Sequence, residues 1–282
     1  VRTPPDFELL LLPDGPDSSV QAALSELQHL RQSATETPRG AAACFNRLAR
    51  ETTADTAILV ESGTIVAPGW LEKLVAALAA DPAHGIACPS TNRAWNRLGA
   101  FPHGTPDATG LARTAEEADR RFGQSWQSLA PLWDAGDFCF AVKRAAIEAA
   151  GPADEASGEG PCWEMDYAIR AVRAGFLAVW ARAAYVFRHP ATARRGREEA
   201  RRFEASRHRY QDKFCGLSLS GARTAYTRHC RGEACTHFAP FGRRSAAPAI
   251  LSASPLVSCI MSAGSCRTPS PTSWRKIIRT PN

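Results

Sequence analysis

The sequence predicts an α/β fold, a mixed sheet flanked by helices, and three observations predict it. Short apolar runs at residues 7–12, 57–60 and 85–89 have strand length and end in turn residues. The segments between them carry apolar residues at helical spacing, so that strand, helix, helix, strand, helix follow one another as in a doubly wound sheet. At the end of the second run a carboxylate, Glu61, leaves the strand at a tight turn just before a new helix. Open α/β sheets place their binding crevices at such strand ends.

Each element follows from its residues. Phe7-Glu-Leu-Leu-Leu-Leu12 is a buried strand, closed by the acidic turn Pro13-Asp14-Gly15-Pro16-Asp17. Ser18 or Ser19 caps a helix whose apolar stripe is Val20, Ala23, Leu24, Leu27 and Leu30. Pro38-Arg39-Gly40 opens a second helix over 41–51, and the strand at 57–60 follows. Pro68 precedes a helix over 70–80, with Leu71, Leu74, Val75 and Leu78 inward. A strand is expected at 85–89, a polar and aromatic binding loop at 90–96, and a charged helix at 113–128. Residues 137–143 read as a strand and 144–150 as a helix stopped by Gly151-Pro152. A helix beginning near Trp163 runs through Ala174 to Gly175, and two strands follow at 177–180 and 184–187. Residues 191–213 read as an Arg-rich charged helix, and 242–282, rich in Ser, Pro and Ala, carry a low expectation of compact structure.

The chain has 282 residues, 44% hydrophobic and 22% charged, with a formal net charge of +6. That balance belongs to a globular protein and is compatible with nucleic acid, acidic lipid or phosphorylated ligands. No run approaches the roughly 18 apolar residues of a membrane span. The first residue is Val and no signal-like stretch follows, which reads as a processed chain or a fragment. Nine cysteines without regular pairing point to reduced thiols and a cytoplasmic setting. His229-Cys230 and Cys235-x-His237 have tolerable zinc spacing, but no second, separate ligand pair accompanies them.

The run Glu61-Ser62-Gly63-Thr64-Ile65-Val66-Ala67-Pro68-Gly69-Trp70-Leu71 resembles the family 2 glycosyltransferases of the GT-A fold, which is Rossmann-like. Their sheet delivers an Asp-x-Asp or Asn-x-Asp turn, then Thr, a β-branched pair, Pro-Gly-Trp-Leu and a helix. Here the last acid is Gly63. The resemblance covers about residues 5–190 and recurs in order. Asp14, Gly15 and Asp17 match an acidic turn that contacts the nucleotide base and ribose, with Pro13 at the place of its first Asp. Arg39-Gly40-x-x-Ala43-x-x-Asn46 is similar to a stretch lying against the sugar nucleotide. Gly136-Asp137 and the turn at 150–155 resemble the segments that precede the family's base. Trp163-Glu164-Met165-Asp166-Tyr167-x-x-Arg170 resembles the segment that holds it.

The resemblance implies a nucleotide-diphosphate sugar donor, a glycan or other hydroxyl acceptor, and an inverting transfer. It places donor contacts at Asp14, Asp17, Arg39, Gly40, Asn46, Glu61 and Ser62, and acceptor contacts at Trp163 and Gly136. Glu164 stands in the position of the base, with Asp166 as the second carboxylate of the segment. Asp166 and Arg170, at i and i+4, also suit a structural pair. A divalent cation, Mg²⁺ or Mn²⁺, would find oxygen and nitrogen ligands in Glu61 and His189 but none at Gly63. Arg188, Arg194 or Arg195 could partly replace that ion as phosphate partners. Two other classes compete: a catalytically impaired nucleotide-sugar-binding relic, and a nucleic-acid binder using the basic helix. The second is opposed by the interleaved Glu198, Glu199 and Glu204. No nucleic-acid partner is expected; peripheral membrane contact is compatible with the charge.

The family's opening strand, mid-sheet in its members, has no counterpart before Phe7, whereas Pro255-Leu-Val-Ser-Cys-Ile-Met261 is worded like it. Two expectations follow. Either a transferase unit over 1–190, with a helical extension over 191–241, is followed in 242–282 by the start of a second unit. Or residues 256–261 fold back into the vacant slot, pairing with 9–12 and 58–60.

Overall fold

Strand β1 (Phe7–Asp14) begins exposed and becomes buried from Leu10 onward, as an apolar run entering a sheet should. The computed structural model describes residues 7–94, 96–129, 135–157, 162–190, 201, 205, 206 and 213, and the backbone of 256–263. Asp17 caps α1 (Ser18–Ser25), accepting the Val20 amide at 2.9 Å. The short β2 (Arg31–Gln32) pairs in parallel with β1, and α2 (Ala41–Glu51) leads to the fully buried β3 (Thr56–Val60). Next come β4 (Thr64–Val66), α3 (Trp70–Ala79), β5 (His84–Thr91) and α4 (Ala108–Phe122). The remainder is β6 (Trp126–Ser128), β7 (Cys139–Lys143), α5 (Arg144–Ala150), a 3-10 turn at Glu155–Ser157, α6 (Trp163–Arg173), β8 (Leu177–Arg188) and β9 (Leu256–Ala263).

Among the described residues the strands form one mixed sheet in the order β2-β1-β9-β3-β7-β5-β8-β4, with β6 beside β8. Parallel pairing joins β2, β1, β9 and β3, and β7 then runs antiparallel to both β3 and β5. The main core holds Leu10, Leu12, Phe45, Ile58, Leu59, Phe140 and Trp163. A smaller cluster, with Phe101, Leu111, Tyr185 and Phe187, forms beside α4.

β9 occupies the central slot. Leu10 is in register with Cys259, and Leu59 with the same residue from the other side. Residues 256–263 therefore pair with both strands named by the fold-back reading.

Four local expectations change. The charged helix starts earlier, because Asp107 caps it through the Gly110 amide, and it stops at Gly123. Trp126–Ser128, expected in that helix, is a strand paired with β8. The two final strands are one, β8. Its register with β5 jumps between Pro89↔Ala181 and Ser90↔Tyr185, and this bulge mimics a break in the sequence pattern. The expected binding loop at 90–96 is in part strand, since β5 runs on through Thr91. The helix at 191–213 lies mostly outside the described residues, as do Arg194, Arg195 and the histidine–cysteine group at 229–237.

Candidate active site

β3 delivers Glu61 to the sheet's rim, and β7, antiparallel to it with Val60 opposite Cys139, brings Asp137 to the same rim. The Glu61 amide donates to the Phe138 carbonyl at 2.8 Å, which closes the two strand ends together. Gly136, beside Asp137, is buried; a Cβ there would lie 2.6 Å from the Phe138 ring and 2.9 Å from Leu98. That close approach requires glycine and keeps the Asp137 backbone against the core.

β4 and β8 add the second side. Their antiparallel register sets Thr64 opposite Arg188, so the turn carrying Gly63 meets the end of β8, and the His189 amide donates to the Gly63 carbonyl at 3.2 Å. The Arg188 guanidinium reaches across to Glu61, with Nη2 and Nε 2.8 and 3.2 Å from one carboxylate oxygen. Asp137 lies 3.6 Å from the same Nη2, and the Arg93 carbonyl accepts from Nη1 at 3.4 Å. The guanidinium carbon sits 4.9 Å from the Phe138 ring centre. The backbone of Arg188 is pinned in turn by both ends of the Asn92 amide.

α6 contributes the third carboxylate. Its first turn starts from Cys162 in the left-handed region, φ 79°, an unusual conformation for a residue with a side chain. The segment from Trp163 to Tyr167 is then driven into the core. Glu164 is 2% exposed and its Oε2 has no hydrogen-bond partner among the described residues. Burial raises its proton affinity well above the ordinary carboxylate range, the nearby Asp137 raises it further, and Arg188 opposes the shift. Glu61, Asp137, Glu164 and Arg188 therefore form one electrostatic cluster, built from β3, β7, α6 and β8.

Other expected site residues are engaged within the fold. The Asp14 carboxylate accepts the Arg39 and Gly40 amides at 2.9 and 2.8 Å and the Thr35 hydroxyl at 2.9 Å, and faces the buried Arg47 at 3.6 Å. It holds the start of α2 to the end of β1. Asp17 caps α1, which lowers its pKa. Asn46 is buried, with its amide donating to the Ala153 carbonyl and to Glu155 while its oxygen accepts the Ala153 amide. Every polar function of that side chain is thereby used to clamp α2 to the turn at 153–155. Arg39, half exposed, pairs with Glu155. Ser62 is part-exposed in the turn.

Two expectations about α6 are corrected in kind. Trp163, expected to contact the acceptor, is fully buried, its ring 5.4 Å from Phe45 and 5.1 Å from Phe140. Asp166, expected as a second catalytic carboxylate, is 5% exposed and bonded to Arg170 at 2.9 Å, with Lys213 2.7 Å from its other oxygen. Arg170 also donates to the Ala150 and Pro152 carbonyls, so this pair locks α6 to the turn before it. His189 is exposed, its ring edge-on to Phe187. A groove of about 640 Å³ along α1 and β2 adjoins the Asp14 loop through Pro16 and Thr35, apart from the acidic cluster.

The residues present do not fit a divalent cation. Hard cations take several oxygen ligands. Glu61 already faces a guanidinium, Gly63 offers no side chain, and no group of three His, Cys, Asp or Glu suited to a metal occurs among the described residues.

A family model described as glycosyl transferase family 2 matches residues 1–150, more than half of the chain. The chain belongs to that family. Solved structures similar to this glycosyltransferase-family chain include GalNAc-T7 with UDP, GalNAc and Mn²⁺, at 11% identity and a TM-score of 0.49. The alignment covers 68% of this chain and 45% of that one. Another is the mannosyltransferase PcManGT from Pyrobaculum calidifontis in complex with GDP-Man and Mn²⁺, at 14% identity and a TM-score of 0.44, covering 68% and 59%. The match thus spans about half the length of these structures. No curated protein matches the chain. The mixed sheet with flanking helices is the GT-A architecture that the family implies, and no helix among the described residues is long and apolar enough to cross a membrane.

Proposed function

We propose that this chain transfers a sugar from a nucleoside diphosphate to an acceptor hydroxyl with inversion. The observation that carries the reading is the convergence of Glu61, Asp137 and Glu164 on Arg188 at one rim of the sheet. The transferase unit is residues 1–190 together with the strand at 256–263. The donor lies between the Asp14 loop and the Glu61 turn. Asp14 shapes that loop from within, and the part-exposed Ser62, with Arg39 half exposed in its pair with Glu155, faces the ligand. Glu164 is the base: burial raises its affinity for a proton, and its Oε2, which has no hydrogen-bond partner among the described residues, is the acceptor for the hydroxyl proton. As that proton moves to Glu164, the acceptor oxygen bonds to the anomeric carbon. The bond from that carbon to the phosphate oxygen breaks on the opposite face, and its electron pair leaves with the diphosphate. The cysteines Cys44, Cys88, Cys139 and Cys162, buried in the core as thiols, support the cytoplasm as the compartment.

One observation favours a second reading, a nucleotide-sugar binder without turnover. Glu164 is shut from solvent, so an acceptor reaches it only after its cover moves. Glu164→Gln separates the two. Transfer measured with a panel of nucleotide sugars should fall at least about 100-fold, as for loss of a general base, while donor affinity stays unchanged. Donor binding without measurable transfer by the parent chain would establish the binder instead.

A further inference from the structure

We propose that the Glu61 turn takes no divalent cation and that Arg188 is the fixed positive charge standing in its place against the anionic leaving group. The proposal deepens the transferase reading above, from which it takes only the identity of the anion, a nucleoside diphosphate.

Three independent features of the chain point this way. The Glu61 carboxylate is already ion-paired, through two guanidinium nitrogens on one oxygen, in a partly buried pair with side-chain exposures of 17% for Arg188 and 19% for Glu61. A metal would have to displace that pair, leaving a guanidinium with fewer acid partners in a confined place, which is costly. Position 63, two residues on, contributes no oxygen from a side chain, and its carbonyl already accepts the His189 amide. Arg188 itself is held rather than loose: its backbone is fastened by Asn92, its guanidinium lies over Phe138, and the Arg93 carbonyl takes a third nitrogen. A planar guanidinium matches the geometry of phosphate oxygens, and one fixed by Glu61 holds its positive charge at this rim.

Gly63 also provides the decisive test. Its φ is +84° and a Cβ there meets nothing within 4 Å, so an aspartate has room, in a conformation that Asp tolerates better than most residues. The full chain is titrated with Mn²⁺ alone, followed by thermal shift and by the electron paramagnetic resonance of free Mn²⁺. The parent should show no specific binding at millimolar metal, and Gly63→Asp combined with Arg188→Met should acquire a site at least tenfold tighter. UDP and GDP are then titrated in EDTA and in Mn²⁺: affinities should agree within about twofold, and Arg188→Gln should weaken both nucleotides tenfold or more in EDTA. Arg188→Lys, which keeps the charge, should retain most of that affinity and checks that the loss is not one of folding. Stoichiometric Mn²⁺ binding by the parent, or nucleotide binding that needs the metal, overturns the proposal. Nucleotides that bind under neither condition would defeat the transferase reading, and the metal titration would still decide the Glu61 turn.

Discussion

Glu164 is the residue at which function and stability oppose each other. Its folded-state proton affinity is raised, first by burial and then by Asp137. In the unfolded chain the carboxyl titrates near 4.3. Below that range both states hold the proton and the fold bears no charge cost. As pH rises, the unfolded chain releases the proton before the folded chain does, so stability falls toward the raised value. Glu164→Gln should flatten this slope, with the melting temperature less dependent on pH between about 5 and 8 and higher at the upper end. Urea unfolding across that range measures it, and an unchanged slope would remove the argument.

At the scale of elements, α6 shows how one helix turn serves two ends. Its sequence places Trp163, Glu164 and Asp166 within four positions, and a ligand role is conceivable for all three. The left-handed Cys162 sets the rotation of the helix, and that rotation sends Trp163 among Phe45, Phe140 and Tyr167. Trp163→Ala should therefore cost about 3–5 kcal/mol in unfolding free energy, as for other buried aromatic truncations. A sugar-stacking residue would instead raise KM with little loss of stability, so denaturant unfolding alongside kinetics distinguishes the two. α2 behaves likewise. Asn46, Asp14 and Arg47 tie it to the 153–155 turn and to β1, so residues that resemble ligand contacts by spacing are bonded within the chain.

At the scale of the whole molecule, β9 decides whether the sheet is continuous. Residues 257–260 have a neighbour on both sides, β1 on one and β3 on the other. Their amides therefore belong to ladders, and a proline there removes a bond that an interior strand requires. Ser258→Pro should lower the melting temperature and expose the amides of Phe7–Asp14 and Thr56–Val60 to rapid hydrogen exchange. Retained protection of both strands would show that the sheet does not depend on β9. The strand also spaces the candidate site, since β1 ends at Asp14 and β3 ends just before Glu61, with β9 between them. Two strand spacings of roughly 4.8 Å then separate the two loops.

Much of this architecture was legible in the chain alone. Apolar runs, capping aspartates and turn glycines act over a few residues, so the order of strands and helices, the exit of Glu61 from β3 and the placement of Glu164 in the first turn of α6 could all be read locally. The Gly63 departure was equally plain. What only the tertiary structure decided is which polar groups are already bonded. Arg188 meets Glu61 across 127 positions, and Asn46 meets Ala153 across 107. Those meetings depend on the β4–β8 register and on the packing of α2 against the 3-10 turn, which no local pattern encodes. A buried polar group must find a partner, and the fold chooses that partner.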